Sequence, residues 1–571
     1  MSNFYETLNS SSIRLKNFIR NHFTTIIFLI FLTLIVSVIT YYRLLVQLHI
    51  GPISDSVDFF TDALVFAGQG FGYADLTRPP FFPFVASLFV RLGYTSINTI
   101  FYVDGGCFVF GVIGLFLLLK IKFNDVQSFL GGLLYATFPI IITYLGFGFS
   151  DLASVSFSIW AIYFMVLAVK NDSKFFFLMF PFALFAFLAR YNNALLIFPI
   201  LLYLLINKDK IDLKNILIGI IASILIIIPV LLFFYEKFGN VLYTFLNFSS
   251  TSTISTGSAV SAIYNPNIFY FIEGFPSFTG PQGITIMLIV AFGALTYFLI
   301  RLRKIKLNKD LLNTLYSKNN SHKIKLLLLV ILSIVFLTSF GKTLYYVNEL
   351  IFFVMAYLFY DITKHMNIKN MNLHIMFFTW FMAFFIFSSV FVIKDNRYFL
   401  LMAPSIAYFM ILGLTLVSNF IKLKFNNRDV FPIFAILLTS IILLSTATQI
   451  PNVMTANNDK TTANQQIELA SQWFVSYDPD YKNQNIYSDL WPNFSWYLKT
   501  NVKPVPIFKD NQVFKDGGVV NNTFNQNDSN AFNNYLITNN AEYYFCVRPG
   551  LNLTSYKPIK RFGIVTIYEK I

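Results

Sequence analysis

TTIIFLIFLTLIVSVITYYR, residues 24–43, carries no charge before its last residue and follows Arg14, Lys16 and Arg20. Roughly 20 apolar residues in a helix cross the hydrocarbon core of a bilayer. Basic residues ahead of such a run are the pattern of a secretory signal. The run is long and lacks a small-residue cleavage site, so an uncleaved signal-anchor helix is expected. Runs of the same kind recur as far as Thr448. Of 571 residues, 56% are hydrophobic and 12% charged, against about 45–50% and about 25% in a soluble globular protein. Phe (69) and Tyr (32) supply much of the surplus, and the mean hydropathy is +0.62. Beyond residue 450 the composition turns to Asn, Asp, Lys and Tyr. The chain therefore reads as a polytopic α-helical membrane protein, with a membrane domain over residues 1–450 and a soluble α/β domain over 451–571.

The expected spans are 24–43, 99–119, 126–145, 151–169, 175–189, 191–206, 214–235, 283–300, 325–341, 345–361, 373–393, 397–421 and 430–449, about thirteen in all. With the N-terminus in the cytoplasm, alternate loops hold Lys120 and Lys122; Lys170 and Lys174; Lys208, Lys210 and Lys214; Arg301, Arg303, Lys304 and Lys306; Lys364 and Lys369; and Lys422, Lys424 and Arg428. Lys and Arg gather in cytoplasmic loops, so one register satisfies this rule nearly throughout and puts the C-terminal domain outside. The net charge of +14 is thereby spent on topology, and nucleic acid is not an expected partner. Two outside loops, 44–98 and 236–282, are longer than a connection requires; the second contains a Ser/Thr-rich stretch, Ser249 to Ser261, suited to a lid. The tail is expected to hold a helix near Ile467–Val475 and strands near Asn485–Tyr487, Tyr543–Val547 and Gly563–Tyr568. Cys107 and Cys546 suggest no disulfide framework, and His22, His49, His322, His365 and His374 show no ligand spacing.

An ion-coupled transporter places charged or broken-helix sites near the midplane. Here the ionisable residues stand instead at the predicted outer ends of spans and in outside loops: Asp55, Asp58, Asp62, Arg78, Asp104, Asp151, Arg190, Glu273, Lys342, Glu349, Lys394, Asp395 and Arg397. At about 100° per residue, Asp55, Asp58 and Asp62 share one helical face, with Val57, Phe60, Leu64 and Ala67 opposite. Such a helix is expected to lie on the bilayer with its carboxylates facing water. Its solvated acidic face is equally the mark of an ordinary interfacial helix. Arg78-Pro79-Pro80-Phe81-Phe82-Pro83 forms a stiff turn into a second interfacial segment.

These residues carry a resemblance. Asp55-Ser56-Val57-Asp58-Phe59-Phe60, Ala63, Gly70, Tyr73 and Arg78-Pro79-Pro80-Phe81-Phe82-Pro83 resemble the first external loop of membrane glycosyltransferases with the GT-C fold. The resemblance is to the branch of protein O-mannosyltransferases and lipid A aminoarabinose transferases. Gly148-Phe149-Ser150-Asp151 resembles that branch's second acidic position, and Ala189-Arg190-Tyr191 and Asn396-Arg397-Tyr398 its recurring Arg-Tyr positions. The Trp-Trp-Asp signature of oligosaccharyltransferase catalytic subunits is absent, which disfavours transfer of a large glycan in one piece. The resemblance implies a polyprenyl-phosphate sugar donor and transfer of one sugar, on the outer face, to a protein, lipid or glycan acceptor.

An acceptor hydroxyl needs a carboxylate base within hydrogen-bond reach, and that role falls to Asp55, with Asp58 the alternative and Asp151 the second acid. The departing lipid phosphate needs cationic stabilisation, expected from Arg397 first, then Arg190, Lys342 and Arg78. The guanidinium fork suits phosphate oxygens. Direct attack inverts the anomeric carbon. Glu273 and Tyr398 are supporting candidates. Other readings stand beside these: Arg190 and Arg397 as snorkelling boundary residues, Asp151 as a helix cap, and Glu273 as a plain exposed charge. No cofactor is required, although the acids can also gather a divalent metal. The sequons at Asn247, Asn493, Asn521, Asn527 and Asn552 would mark exposure if occupied. The rival from another class is a lipid-linked glycan flippase without chemistry. A glycan polymerase or ligase would need cations in a large outside loop, which the Ser/Thr-rich stretch lacks.

Overall fold

The structure is a computed structural model that describes residues 20, 22–246, 265–302, 320–366, 368–391, 394–424, 430–510, 512–514 and 523–571. The Ser/Thr-rich stretch, the sequon at Asn247, the sequon asparagine Asn521, and Arg14, Lys16, Arg303, Lys304, Lys306 and Arg428 fall outside them. The helices are α1 (Phe23–Ile50), α2 (Ser54–Phe66), α3 (Phe81–Arg91), α4 (Asn98–Lys120), α5 (Asp125–Ala136), α6 (Pro139–Tyr144), α7 (Ser150–Lys170), α8 (Phe176–Ala189), α9 (Ile197–Ile206) and α10 (Leu213–Phe238). They continue as α11 (Tyr270–Glu273), α12 (Phe275–Leu302), α13 (Asn320–Ser339), α14 (Tyr345–Thr363), α15 (Met371–Val390), α16 (Ala403–Lys424), α17 (Phe431–Ala456), α18 (Asn458–Tyr477), α19 (Trp491–Leu498) and α20 (Gln526–Thr538).

Among the described residues, 10 helices are long and apolar enough to cross a membrane. The protein is a multi-pass membrane protein. The other three expected spans are shorter pieces, each with a local cause. The 126–145 segment divides because Pro139 has no N–H to continue α5 and instead opens α6 at its first position. Arg190 adopts extended backbone at φ −157°, ending α8, and a 3₁₀ turn over Tyr191–Leu196 leads into α9. Asn193 secures that break by donating its side-chain amide to Ala186 O at 3.0 Å. A second break of the same kind follows α15. The buried Lys394 ammonium donates to the carbonyls of Ser388 (2.8 Å), Ser389 (2.6 Å) and Phe391, covering the helix's last carbonyls. Asp395 then caps a 3₁₀ helix over Asn396–Leu401 by accepting the Arg397 N–H at 3.0 Å. Both Arg-Tyr pairs thus stand where a helix stops short.

The two ends of the bundle differ. At one, Lys122 faces Lys369, and Lys170 faces Lys210 and Lys122. At the other, Asp151 opens α7, whose far end is Lys170. Beyond α17, α18 leads into a five-stranded sheet of order β2-β1-β5-β7-β6: β1 (Ile486–Ser488) lies parallel to β2 (Lys503–Pro504) and β5 (Tyr543–Cys546), and β7 (Val565–Lys570) lies antiparallel to β5 and β6 (Tyr556–Phe562). A separate hairpin pairs β3 (Ile507–Lys509) with β4 (Gln512–Phe514). The strands match the sequence expectation at three places, and the tail helix runs well beyond the predicted stretch.

Helix α2 departs from its expected setting. Asp58 is 4% and Asp62 1% exposed, while Val57, Phe60 and Ala63 on the opposite face are also buried. Asp58 is closed off from water by Tyr73 and Arg78, which take its two oxygens, while on the opposite face Trp496 of α19 in the C-terminal domain packs edge-on against Phe60 with ring centroids 5.4 Å apart. The charge distribution departs too. α1 continues seven residues past the expected end at Arg43, which leaves Arg43 fully buried inside the helix, and Asp104 and Glu349 are buried as well.

Arg43 and Asp104 hold the segment between α6 and α7. Arg43 donates to Ile142 O (Nε, 2.8 Å) and Thr143 O (Nη2, 3.0 Å). Asp104 accepts the amides of Gly146 (2.9 Å) and Gly148 (3.3 Å). Gly148 has φ +73°, and a Cβ there would lie 2.7 Å from Ile100 Cγ2 and 3.2 Å from Ser56 Cβ. Gly148→Ala is expected to destabilise the protein by about 1–3 kcal/mol. Gly68→Ala, at φ +79° with nothing within 4 Å, should lose less. Thermal unfolding of both variants in detergent measures the difference.

Candidate active site

Four segments from distant parts of the chain meet beside the C-terminal domain. Asp55 stands in the first turn of α2, and its two oxygens receive two guanidinium groups: Arg78 Nη2 at 3.2 Å and Arg397 Nη1 at 2.7 Å. Arg78 also pairs with Asp58 and, through Nε at 3.1 Å, with Asp75. Arg397 also pairs with Asp395 at 3.0 Å. Tyr73 donates its hydroxyl to the other oxygen of Asp58 at 2.5 Å. Asp151 is ion-paired with Arg190, whose guanidinium lies over the Tyr398 ring at 5.2 Å. The Arg397 guanidinium lies over Phe149 at 5.5 Å. Tyr144 donates to Asp395 at 3.0 Å and Tyr270 to Asn396 at 2.5 Å, which fixes the turn carrying Arg397.

Burial pushes the Asp55 carboxyl up, but Arg78 and Arg397 outweigh it and hold the group down at about 2. Asp58 differs: burial dominates and, despite Arg78 and Tyr73, raises it to about 6. Asp62, one turn further along, is pushed well up by burial and by Asp75 and Asp58. Asp55 is thus an ionised, partly exposed acid (26% of its side chain), while Asp58 is a buried one (6%) with both oxygens engaged.

Of the residues expected from sequence, Asp55, Asp58, Asp151, Arg78, Arg190, Arg397 and Tyr398 come together. Lys342 and Glu273 do not. Lys342 is exposed in the turn between α13 and α14, and Glu273 is exposed and accepts from Asn267 at 2.8 Å. Neither Arg190 nor Arg397 reaches toward a lipid boundary; each is drawn inward onto an acid and a ring. Asp151 spends its carboxylate on Arg190. The sequon at Asn493 is buried in α19, whereas Asn527 and Asn552 are exposed. Sequence reading passed over Asp75, the hydroxyl of Tyr73, Arg43 and Lys460; Lys460, on α18, places its ammonium 5.8 Å from the Phe147 ring centroid.

Arg78 bonds to Asp55, Asp58 and Asp75, so a divalent cation gathered by these three acids would have to displace it. Among the described residues no group of three or more His, Cys, Asp or Glu side chains is placed to hold a metal ion.

A cavity of about 660 Å³ starts beside this cluster, lined by Val65 and Phe66 of α2, Pro80, Phe81 and Phe84, Phe185 and Leu188 of α8, and Ile226 to Lys237 of α10. Its wall is largely apolar, and it begins two residues from Arg78 and two from Arg190.

The fold matches that of ArnT from Cupriavidus metallidurans bound to undecaprenyl phosphate over 95% of this chain and 98% of that one, with a TM-score of 0.56 at 12% identity. This is the GT-C fold. ArnT in the apo state matches at TM-score 0.50 and 12% identity over 91% of this chain and 94% of that one. The apo oligosaccharyltransferase of Archaeoglobus fulgidus matches at 0.51 and 12% over 90% of this chain and 69% of that one. A family model for dolichyl-phosphate-mannose-protein mannosyltransferase matches residues 77–233, a stretch of the GT-C bundle that includes Arg78, Asp151, Arg190 and much of the cavity wall. No curated protein matches the chain by sequence. These GT-C relatives are glycosyltransferases.

The Asp58 carboxyl is expected to lose its proton with a midpoint near pH 6. Its protonated form is favoured in the fold, so this contribution to stability is lost as pH rises from about 4 to about 6. Infrared difference titration should show a carboxylic-acid band disappearing over that window, and the band should be missing in Asp58→Asn.

Proposed function

We propose that this protein is an inverting glycosyltransferase that moves a single sugar from a polyprenyl-phosphate donor to an acceptor on the external membrane face. The observation that carries the reading is Asp55 held between Arg78 and Arg397, with an apolar cavity whose lining includes Pro80 and Leu188, each two residues from an arginine of the cluster. A polyprenyl chain lies in that cavity, which puts its phosphate at Arg78, Arg190 and Arg397. The gathering of lysines at the opposite end of the bundle supports a cytoplasmic N-terminus and an external C-terminal domain.

In the reaction, the acceptor hydroxyl gives its proton to Asp55 while its oxygen forms a bond to the anomeric carbon. The bond from that carbon to the phosphate oxygen breaks, and the electron pair leaves with the lipid phosphate. The arginines stabilise the charge gathered there. Asp58 is a poorer base despite its higher proton affinity, because only 6% of its side chain is exposed, against 26% for Asp55, and Tyr73 holds one of its oxygens. Its role is to hold Arg78. An Asp55 held down at about 2 is a weak base while both guanidinium groups rest on it. As the donor phosphate draws them away, its proton affinity rises toward what general-base catalysis needs.

The experiment is a transfer assay on protein in lipid with labelled polyprenyl-phosphate sugars, using membrane extract as acceptor. The native protein should release sugar from one donor, and Asp55→Asn should bind that donor without transferring from it. Arg397→Gln should lower kcat/KM by about 10²–10³. It should also move the acid limb of the kcat/KM profile to higher pH, because one of the two cations holding Asp55 ionised is gone and activity is lost as pH falls through its raised pKa. Intact donors together with labelled lipid crossing the bilayer would replace this reading with that of a flippase.

A further inference from the structure

The segment joining α1 to α2 turns sharply at Gly51, which has φ +82°, and a side chain of the C-terminal domain holds the turn. Asn464 of α18 is 8% exposed. Its amide nitrogen donates to Ile50 O at 2.9 Å and Pro52 O at 3.0 Å, on either side of Gly51. Its amide oxygen accepts from Asn493 Nδ2 of α19 at 3.2 Å. A Cβ at residue 51 would lie 3.0 Å from the Asn464 nitrogen, so glycine lets the amide approach this closely. Four residues after the turn stands Asp55. The other cover on α2 also comes from α19, where Trp496 packs on Phe60.

We propose that Asn464 is a positioning residue for the Asp55 carboxylate, so that the C-terminal domain sets the geometry of the reacting end of α2. The proposal rests on the reading of Asp55 as the base, and it accounts for the contact by its chemistry. The amide nitrogen carries two hydrogens and so satisfies both carbonyls at once. Arg78 and Arg397 are carried by other segments, so the groups that meet the donor phosphate do not depend on this turn. Loss of the amide therefore moves the carboxylate relative to the cations, and a misplacement of about 1 Å is enough to cost on the order of 10²-fold in rate.

The test is Asn464→Asp in the full-length protein. The replacement keeps the shape of the side chain and removes its donor. Hydrogen exchange of the amides over residues 52–58 is measured beside the transfer kinetics. The expected result is faster exchange there, with kcat lowered about 10–100-fold and the donor KM unchanged. In an Asp55→Asn background the same substitution should lower the residual rate no further, since both changes remove one function. Asn493→Ala leaves both carbonyl contacts in place and should lose much less. Unchanged exchange over 52–58 would overturn the proposal, as would equal losses in kcat and donor affinity. Faster exchange with full transfer activity would support the Asn464 clamp and overturn the assignment of the base to Asp55.

Discussion

One carboxylate shared by two guanidinium groups organises the mouth of this bundle. Asp55 takes Arg78 on one oxygen and Arg397 on the other, and charges partly withdrawn from water are stabilised by such pairing. The pairing extends outward: Asp75 and Asp58 on Arg78, Asp395 on Arg397. Removing Arg397 would leave Asp395 without its cation and Asp55 with Arg78 alone. Segments 342 residues apart in the chain, those of Asp55 and Arg397, are held together by this requirement more than by any apolar contact. An anion arriving at the arginines competes for the same donors, so substrate binding and the state of the acid are linked by construction.

The breaks in the helical pattern serve this network. An unbroken span would carry Arg190 or Arg397 along a helix surface, at a position set by the helical repeat. Stopping the helix at extended backbone and restarting it through a 3₁₀ turn lets each arginine leave the bundle wall and enter the cluster. The loose ends of the backbone are then covered by side chains, Asn193 at one break and Lys394 at the other. Lys394 illustrates how a conspicuous cation can be committed to carbonyls and so be lost to substrate.

Much of this was legible in the sequence, for identifiable reasons. Span positions follow from composition, and the ten long helices fall where the apolar runs do. Asp55, Asp58, Arg78, Arg190 and Arg397 were legible because each sits in a short motif at a span end or loop. Four features were not. The burial of Asp58 depended on Tyr73 and Arg78 from the following loop, and that of Phe60 on Trp496 of the C-terminal domain, and periodicity carries no information about what covers a face. Arg43 looked like the end of a span because a charge usually is one, and nothing local signals that Ile142 and Thr143 supply its partners. Lys342 and Glu273 were plausible from position alone, yet Lys342 is exposed in a turn and Glu273 is exposed and takes Asn267. Asp75 carried no motif, and the motif that contains Tyr73 did not show its hydroxyl on Asp58 or the bond from Arg78 to Asp75.

Arg43 also constrains how the molecule is made. Its acceptor at Ile142 lies 99 residues further along the chain, so when the first helix enters the bilayer only Gln47, four residues on, is at hand for its arginine. Seven residues from the end of the helix, the arginine costs less than the ~2.5–3.5 kcal/mol of one at the centre, which the long apolar run ahead of it can outweigh. The first helix is thus provisional on insertion and becomes fixed when the chain through Gly148 has emerged and folded back. Biogenesis of the bundle therefore has an order: the first three expected spanning segments settle together, and a nascent chain that ends before Ile142 lacks the carbonyls that Arg43 takes in the finished fold.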